Sequence, residues 1–219
     1  MDFTFDWGRA ARTGLPEAVL CSAKSPAQIA EILAAARVRG ARLLLTRLEP
    51  AAFAALDEPA RAGVDYDPLS RTAVLGGEVA LSGPRVAVVA AGTSDLPVAR
   101  EAVRTLEFNG HGASLVADVG VAGLWRLMER IEEIRACRVV IAVAGMEGAL
   151  FSVLGGLVAA PVIAVPTSVG YGVAEGGKAA MTSALASCAP GVVAVNIDNG
   201  FGAACAALKM LGAAARGEG

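Results

Sequence analysis

The sequence predicts an α/β protein, a three-layer sandwich in which helices cover both faces of a parallel sheet, preceded by a small α+β domain. From residue 85 onward, short apolar runs rich in Val, Ile and Ala alternate with segments whose apolar residues recur at helical spacing. Strands that alternate with helices imply right-handed βαβ crossovers and a parallel sheet. Of all residues, 55% are apolar, but Gly, Ser, Pro or a charge breaks every run before the roughly 18 residues that a membrane span needs.

The N-terminal α+β domain is predicted over residues 1–80. Its best-marked helix begins after the cap residue Ser25, continues through Pro26 and ends near Gly40. The other elements predicted here are a helix at 51–56 and strands at 42–46 and 71–75. Gly, Ser and Pro then cluster between residues 76 and 84, which is typical of a boundary between domains.

The C-terminal domain is predicted over residues 84–219 and carries the regular alternation. The predicted strands are 86–90, 113–116, 138–143, 162–165 and 192–195. The predicted helices are 96–108, 121–134, 149–158, 174–187 and 201–211, with a frayed end from Gly212 onward.

Composition narrows the class of function. The formal net charge is -2 and no basic patch is evident, which disfavours nucleic-acid binding and favours a small-molecule site. The single histidine, His111, lies in an Asn-Gly-His-Gly loop pattern, so a His-rich metal site or a Ser-His-Asp triad is not expected. The four cysteines are far apart, without a Cys-x-x-Cys pair, and the first residues lack the pattern of a signal peptide. We expect a cytoplasmic protein with free thiols.

Polar, Gly-rich turns follow the predicted strands, and ligands of open parallel sheets bind at the carboxyl ends of strands. After the first strand, Gly92 allows close approach to a ligand, while Thr93 and Ser94 offer hydroxyls to a phosphate or ribose. Asp118, after the second strand, has a carboxylate suited to a ribose hydroxyl or a magnesium ion. In both turns the alternative is local: Ser94, Asp95 or Asp118 only caps the helix that follows.

Three later turns repeat this arrangement. After the third strand, Glu147 stands between glycines, although a tight turn into the next helix also explains those glycines. The fourth turn offers a hydroxyl and Tyr171, an aromatic ring able to stack on a base or a pyridine. The last strand is followed by Asn196, Asp198 and Asn199. The complete set of candidate binding residues in these three turns is Gly145, Met146, Gly148, Ser168, Gly170, Tyr171, Gly172, Asn196, Asp198 and Asn199.

Two cysteines are candidates for a reactive thiol, and the residues alone do not choose between them. Cys188 closes the helix before the last strand, and Cys205 lies one turn inside the final helix. A lone cysteine in either position is most often an apolar packing residue.

Several of these motifs together resemble one known family. Ala-Gly-Thr-Ser-Asp at 91–95 and Ala-Gly-Met-Glu-Gly-Ala-Leu at 144–150 resemble the PurE (aminoimidazole ribonucleotide carboxylase) superfamily, which has a flavodoxin-like sandwich. Ser-Val-Gly-Tyr-Gly at 168–172 and Asn-Ile-Asp-Asn-Gly-Phe-Gly-Ala at 196–203 are similar to its LarB family, as are Arg-Thr-Gly-Leu-Pro-Glu at 12–17 and Tyr-Asp-Pro-Leu-Ser-Arg-Thr at 66–72. The purine enzymes instead share Ser-Ala-His-Arg after the second strand, where this chain reads Val-Ala-Asp-Val-Gly at 116–120.

The resemblance to LarB implies a specific reaction. Such an enzyme carboxylates the pyridinium ring of nicotinic acid adenine dinucleotide with CO2 or bicarbonate and hydrolyses its phosphoanhydride to release AMP, as a step toward the nickel-pincer cofactor of lactate racemase. It further implies that Cys188 adds to the ring as a thiolate, with Glu147 handling CO2 or the ring proton. Ser94, Asp95 and Asp118 are then expected to bind ribose, phosphate or Mg²⁺, with the metal at Asp118. A homo-octamer is expected. The alternatives are a purine-pathway carboxymutase and a nucleotide-binding module without catalysis.

Overall fold

The chain divides into two units, Met1–Ala80 and Leu81–Gly219, and the computed structural model describes residues 3–217. Within this range, no helix is both long enough and apolar enough to cross a membrane.

The first unit is an α+β unit built on a four-stranded sheet of order β1-β2-β4-β3. Strand β1 runs parallel to β2, whereas β4 is antiparallel to both β2 and β3. Its strands are β1 (Ala18–Leu20), β2 (Leu43–Thr46), β3 (Val64–Asp67) and β4 (Thr72–Leu75). Its helices are α1 (Arg9–Thr13), α2 (Pro26–Val38), α3 (Pro50–Ala54) and α4 (Glu58–Arg61).

Helix α2 begins where the sequence predicts, because Ser25 forms a reciprocal capping box with Gln28. Its apolar side packs against β2, whose four residues are all buried. The sequence did not reveal β1 or β3: β1 has only three residues, and β3 carries two acidic residues, Asp65 and Asp67.

The second unit is the α/β sandwich that the sequence predicts. Its strands are β5 (Ser82–Ala90), β6 (His111–Val116), β7 (Val139–Ala144), β8 (Val162–Pro166) and β9 (Val192–Ala194). Its helices are α5 (Leu96–Phe108), α6 (Leu124–Glu129), α7 (Ile131–Arg135), α8 (Ala149–Leu157), α9 (Lys178–Leu185) and α10 (Gly200–Gly217).

All five strands of this sheet are parallel and follow the order β6-β5-β7-β8-β9. Every residue of the central strands β7 and β8 is buried, as expected where helices cover both faces. Side chains from α6, α7, α8 and α9 form one apolar cluster with the sheet, while α5 packs with α10. The prediction of a parallel α/β sandwich is therefore confirmed.

Four local predictions were wrong. His111 does not lie in a loop but begins β6, and the predicted helix 121–134 is broken at Arg130 into α6 and α7. The helix predicted from residue 174 starts only at Lys178, because Gly176 and Gly177 adopt left-handed φ angles of 72° and 77°. The final helix does not fray from Gly212 but continues to Gly217, and residues 218 and 219 lie outside the described range.

Phe151 tests the packing of this core. Its ring is fully buried among α8, the sheet and α9, so Phe151→Ala should lower the free energy of unfolding by about 3–5 kcal/mol. Val173→Ala, at a side chain that is 99% exposed, should change it by less than about 0.5 kcal/mol. Urea unfolding followed by circular dichroism measures both, and equal effects of the two substitutions would contradict the described core.

Candidate active site

The strand order identifies where a ligand should bind. Strand β5 has β6 on one side and β7 on the other, so the chain turns in opposite directions after β5 and after β7. Crevices in open α/β sheets form at such a switch point, outside the carboxyl ends of the strands. The turn after β5 contains Thr93 and Ser94, and the turn after β7 contains Glu147; all three side chains are exposed.

The buried side chain of Asp95 forms hydrogen bonds with three of the predicted turns. It is only 4% exposed, its Oδ2 accepts a hydrogen bond from the Gly92 amide at 2.9 Å, and its Oδ1 accepts one from Thr167 Oγ1 at 2.6 Å. The Gly145 amide also donates to it. Burial raises the pKa of the Asp95 carboxyl, and these hydrogen bonds oppose the rise. Asp95 is expected from the sequence to bind the substrate, whereas in the structure its side chain is buried and links the turns.

The turn after β7 is shaped so that Glu147 stands outward. A Cβ on Gly145 would lie 2.1 Å from the Val169 carbonyl oxygen, so only glycine fits there. Met146 adopts a left-handed φ of 51° while its amide donates to that same Val169 oxygen at 2.9 Å. Gly148 is the N-cap residue of α8. Met146 and Glu147 therefore form the exposed tip of a tightly fixed turn.

The turn after β8 lies beside this one and carries the aromatic candidate. Tyr171 is 77% exposed, so its ring stands at the rim rather than in a closed pocket. Ser168 and Gly172 are exposed, and Gly170 is half-buried. Thr167, which the sequence analysis left out of the candidate set, is fully buried beneath them and bonded to Asp95.

The polar side chains of the turn after β9 mainly form hydrogen bonds with backbone amides of this turn and of the turn after β8. Asp198 has a left-handed φ of 55°, and its Oδ1 accepts a hydrogen bond from the Ser168 amide at 2.8 Å, which joins this turn to the turn after β8. Asn199 Oδ1 accepts from the Gly202 amide at 2.8 Å at the start of α10. Asn196 Oδ1 accepts from the adjacent Ile197 amide at 2.9 Å. All three side chains therefore accept hydrogen bonds from backbone amides and fix the shape of this turn.

Asp118 forms an ion pair with Arg126, a residue that the sequence pattern does not mark as part of the site. Arg126 Nη1 lies 2.8 Å from Asp118 Oδ2, so a guanidinium already balances the carboxylate that was expected to bind Mg²⁺. Within the described range 3–217, no group of three or more His, Cys, Asp or Glu side chains is placed to hold a metal ion. The described residues therefore form no all-protein magnesium cage, and Mg²⁺ at this end of the sheet would need substrate phosphates and water as further ligands.

Cys188 lies on the loop between α9 and β9, away from the strand-end turns, and its side chain is exposed. The neighbouring Ser187 shares a hydrogen bond of 2.8 Å with Ser152 of α8. Ser152 lies in the first turn of α8, three residues after Ala149, at which the helix begins, or about 4.5 Å along its axis. The loop with Cys188 is therefore anchored to the helix that follows the Glu147 turn. Cys205, in α10, is half-buried.

Comparison with known proteins yields matches to both units. A family model described as the LarB/PurE-like N-terminal domain matches residues 2–77, and one described as AIR carboxylase matches residues 85–217. An uncharacterized protein of Methanocaldococcus jannaschii is 49% identical over 122 residues. That match covers 54% of this chain and 46% of the relative, so the chain spans less than half of the relative's length.

The buried carboxyl of Asp95 predicts a pH dependence of stability. Because its pKa in the folded chain is raised above the ordinary 3.8, its contribution to stability is complete below that pH and is lost as the pH rises through the folded-state value. The free energy of unfolding of the wild type relative to Asp95→Asn should therefore fall in urea titrations as the pH rises above about 3.8. Thr167→Val removes a hydrogen bond that favours the ionised form, so it should move this fall to higher pH. Parallel profiles for wild type and Asp95→Asn would contradict the assignment.

The four cysteines should differ sharply in reactivity. Burial raises the pKa of Cys21 to about 12 and also raises the pKa of Cys137, and the thiolate is the form that alkylates. In the folded protein, iodoacetamide at about pH 8 should modify Cys188 first and leave Cys21 and Cys137 unmodified until the chain unfolds. Peptide mass spectrometry measures the order. A fast phase that survives Cys188→Ala would show that another thiol is the accessible one.

Proposed function

We propose a pyridinium carboxylation for this chain, which belongs to the LarB family of the PurE (AIR carboxylase) superfamily. The family makes it a carboxylase-type enzyme. The proposed substrate is nicotinic acid adenine dinucleotide, which is carboxylated with CO2 or bicarbonate and hydrolysed at its phosphoanhydride. The products are AMP and pyridinium-3,5-biscarboxylic acid mononucleotide, a precursor of the nickel-pincer cofactor of lactate racemase. The observation that carries the proposal is an exposed carboxylate and an exposed thiol, Glu147 and Cys188, whose segments both contact helix α8.

The reaction needs a nucleophile because a pyridinium ring is too electron-poor to attack CO2. In the proposal, the Cys188 thiolate adds to the ring carbon para to nitrogen, and the ring electrons move onto nitrogen. The product is a neutral dihydropyridine, an enamine whose carbon at position 5 forms a bond to CO2. Loss of the proton from that carbon and departure of the thiolate restore the aromatic pyridinium, so no oxidant or reductant is consumed.

Glu147 is the residue that we propose as base for this proton. Its carboxylate is exposed at the carboxyl end of β7, where the strand order predicts the crevice. The adduct cannot regain aromaticity until the proton at the new carbon–carbon bond leaves, and a positioned carboxylate accepts it. Tyr171, exposed at the rim, is the ring that we propose to stack on the pyridinium.

The remaining turns supply the proposed binding surface for the nucleotide. Thr93, Ser94 and Ser168 have exposed hydroxyl side chains that we propose to bind ribose and phosphate. Magnesium enters this proposal only as the counter-ion of the substrate phosphates, since Asp118 is paired with Arg126. We propose that the anhydride is hydrolysed at this same carboxyl end of the parallel sheet.

The proposal includes a homo-oligomer, an octamer, that works in the cytoplasm. Helix α6 exposes three large apolar side chains, Leu124, Trp125 and Met128, of which Trp125 is 64% exposed. Exposed apolar clusters of this kind are suited to contact between identical subunits. All four cysteines are free thiols, which agrees with a reducing compartment.

Two substitutions test the proposed roles. Cys188→Ala should remove carboxylation by on the order of 10³-fold or more, as expected when a nucleophile is deleted, and Glu147→Gln should reduce it by about 10²–10⁴-fold. Product mass spectrometry after incubation with the dinucleotide, bicarbonate and Mg²⁺ measures both through the mass of one added carboxyl group. Cys205→Ala is the matched control and should retain activity. Turnover that survives Cys188→Ala would refute the covalent route, and turnover of aminoimidazole ribonucleotide by the wild type would refute the substrate.

A further inference from the structure

Arg126 places a guanidinium at the carboxyl end of β6. Its Nη1 contacts Asp118 Oδ2 at 2.8 Å, and the side chains of Arg126 and Asp118 are 31% and 56% exposed. The Arg126 side chain runs back across Gly123, where a Cβ would lie 2.8 Å from its Nε. The cation is thus held at the sheet edge by a carboxylate on one side and by backbone on the other, while it stays accessible to solvent.

This guanidinium lies on the segment that packs against the first turn of the site. The Val119 amide donates to the Ala90 carbonyl oxygen at 3.3 Å, and a Cβ on Gly120 would lie 2.9 Å from the Ala91 carbonyl oxygen. The first turn continues directly into Thr93 and Ser94, which are exposed. The segments that follow β5 and β6 are therefore adjacent, and they carry one cation, Arg126, and two hydroxyl side chains, Thr93 and Ser94. Groups of these kinds donate hydrogen bonds to phosphate oxygens.

A contribution to stability does not by itself explain the ion pair between Asp118 and Arg126. Ion pairs that are open to solvent contribute about 0–1 kcal/mol. Asp118 has a left-handed φ of 58°, a conformation in which Asp is enriched among the residues other than glycine. A guanidinium has five N–H donors, and one carboxylate accepts two of them in the fork geometry, so donors remain for a second anion.

We propose that Arg126 binds the phosphoanhydride of the dinucleotide substrate and that Asp118 positions its guanidinium. The identity of the ligand rests on the proposed function, whereas the diphosphate chemistry rests on the residues themselves. When water attacks a phosphorus of the anhydride and the bond to the bridging oxygen breaks, negative charge grows on the departing phosphate. A fixed guanidinium stabilises that charge at the transition state. Arg126 is then both an anchor for the substrate and an electrostatic catalyst of AMP release.

The test compares Arg126→Gln with Arg130→Gln. Arg130 lies four residues further along and pairs with Glu133 at 2.6 Å on the surface, so it controls for the loss of one positive charge. Calorimetry with inorganic pyrophosphate and with nicotinic acid adenine dinucleotide should show about tenfold to hundredfold weaker binding for Arg126→Gln and unchanged binding for Arg130→Gln. Arg126→Lys should recover only part of the affinity, because an ammonium lacks the planar fork.

The outcomes separate this inference from the proposed function. Equal binding by wild type and Arg126→Gln, or equal loss in Arg126→Gln and Arg130→Gln, overturns the role of Arg126 even if the wild type carboxylates the dinucleotide. Binding that depends on Arg126 without carboxylation supports this inference and refutes the proposed reaction. If circular dichroism shows that Arg126→Gln is unfolded, Arg126→Lys decides: wild-type affinity for pyrophosphate in that variant overturns the inference, and partial affinity supports it.

Discussion

A buried carboxylate, that of Asp95, is the constraint on which the site depends. An ionisable group that is 4% exposed is tolerated only when hydrogen bonds replace the water that it has lost. Asp95 obtains them from its own turn through Gly92, from the turn after β7 through Gly145, and from the turn after β8 through Thr167. Thr167 is 72 positions away in sequence, so one side chain holds together strand ends that the chain itself does not connect.

The exposed position of Glu147 follows from the buried hydrogen bonds of Asp95. Once the amide of Gly145 is held by Asp95, the next two residues have to turn outward, and Met146 accepts a left-handed φ of 51° to do so. Glu147 then stands at the tip. The second anchor is the bond between Ser152 and Ser187, which fixes the loop with Cys188 along the same helix. Glu147 and Cys188, the residues that we propose as base and nucleophile, are thus both exposed.

The parallel sheet and its polar edge were predictable from the sequence, because both depend on the local pattern of apolar and polar residues. Buried strands need continuous apolar runs, and strand ends need polar turns, so β5 to β9 and the residues around Glu147 were predictable. The inward orientation of the Asp95 side chain was not predictable from the sequence, because it depends on Thr167, a hydrogen-bond partner that is distant in sequence. Arg126 looked like an ordinary residue of an unbroken helix, since its contact depends on the left-handed backbone of Asp118. Strands β1 and β3 lacked the length or the apolar pattern that would have marked them.

The central proposal is that the Cys188 thiol adds to a pyridinium ring and that Glu147 accepts the ring proton. The most direct measurement is the mass of the intact protein after it is mixed with nicotinic acid adenine dinucleotide in the absence of CO2 and bicarbonate, followed by peptide mapping. The account predicts a protein whose mass is increased by the pyridinium-bearing substrate, with the modification on the peptide that contains Cys188. An adduct on another residue, or carboxylation that proceeds with no detectable adduct at any time, would contradict it.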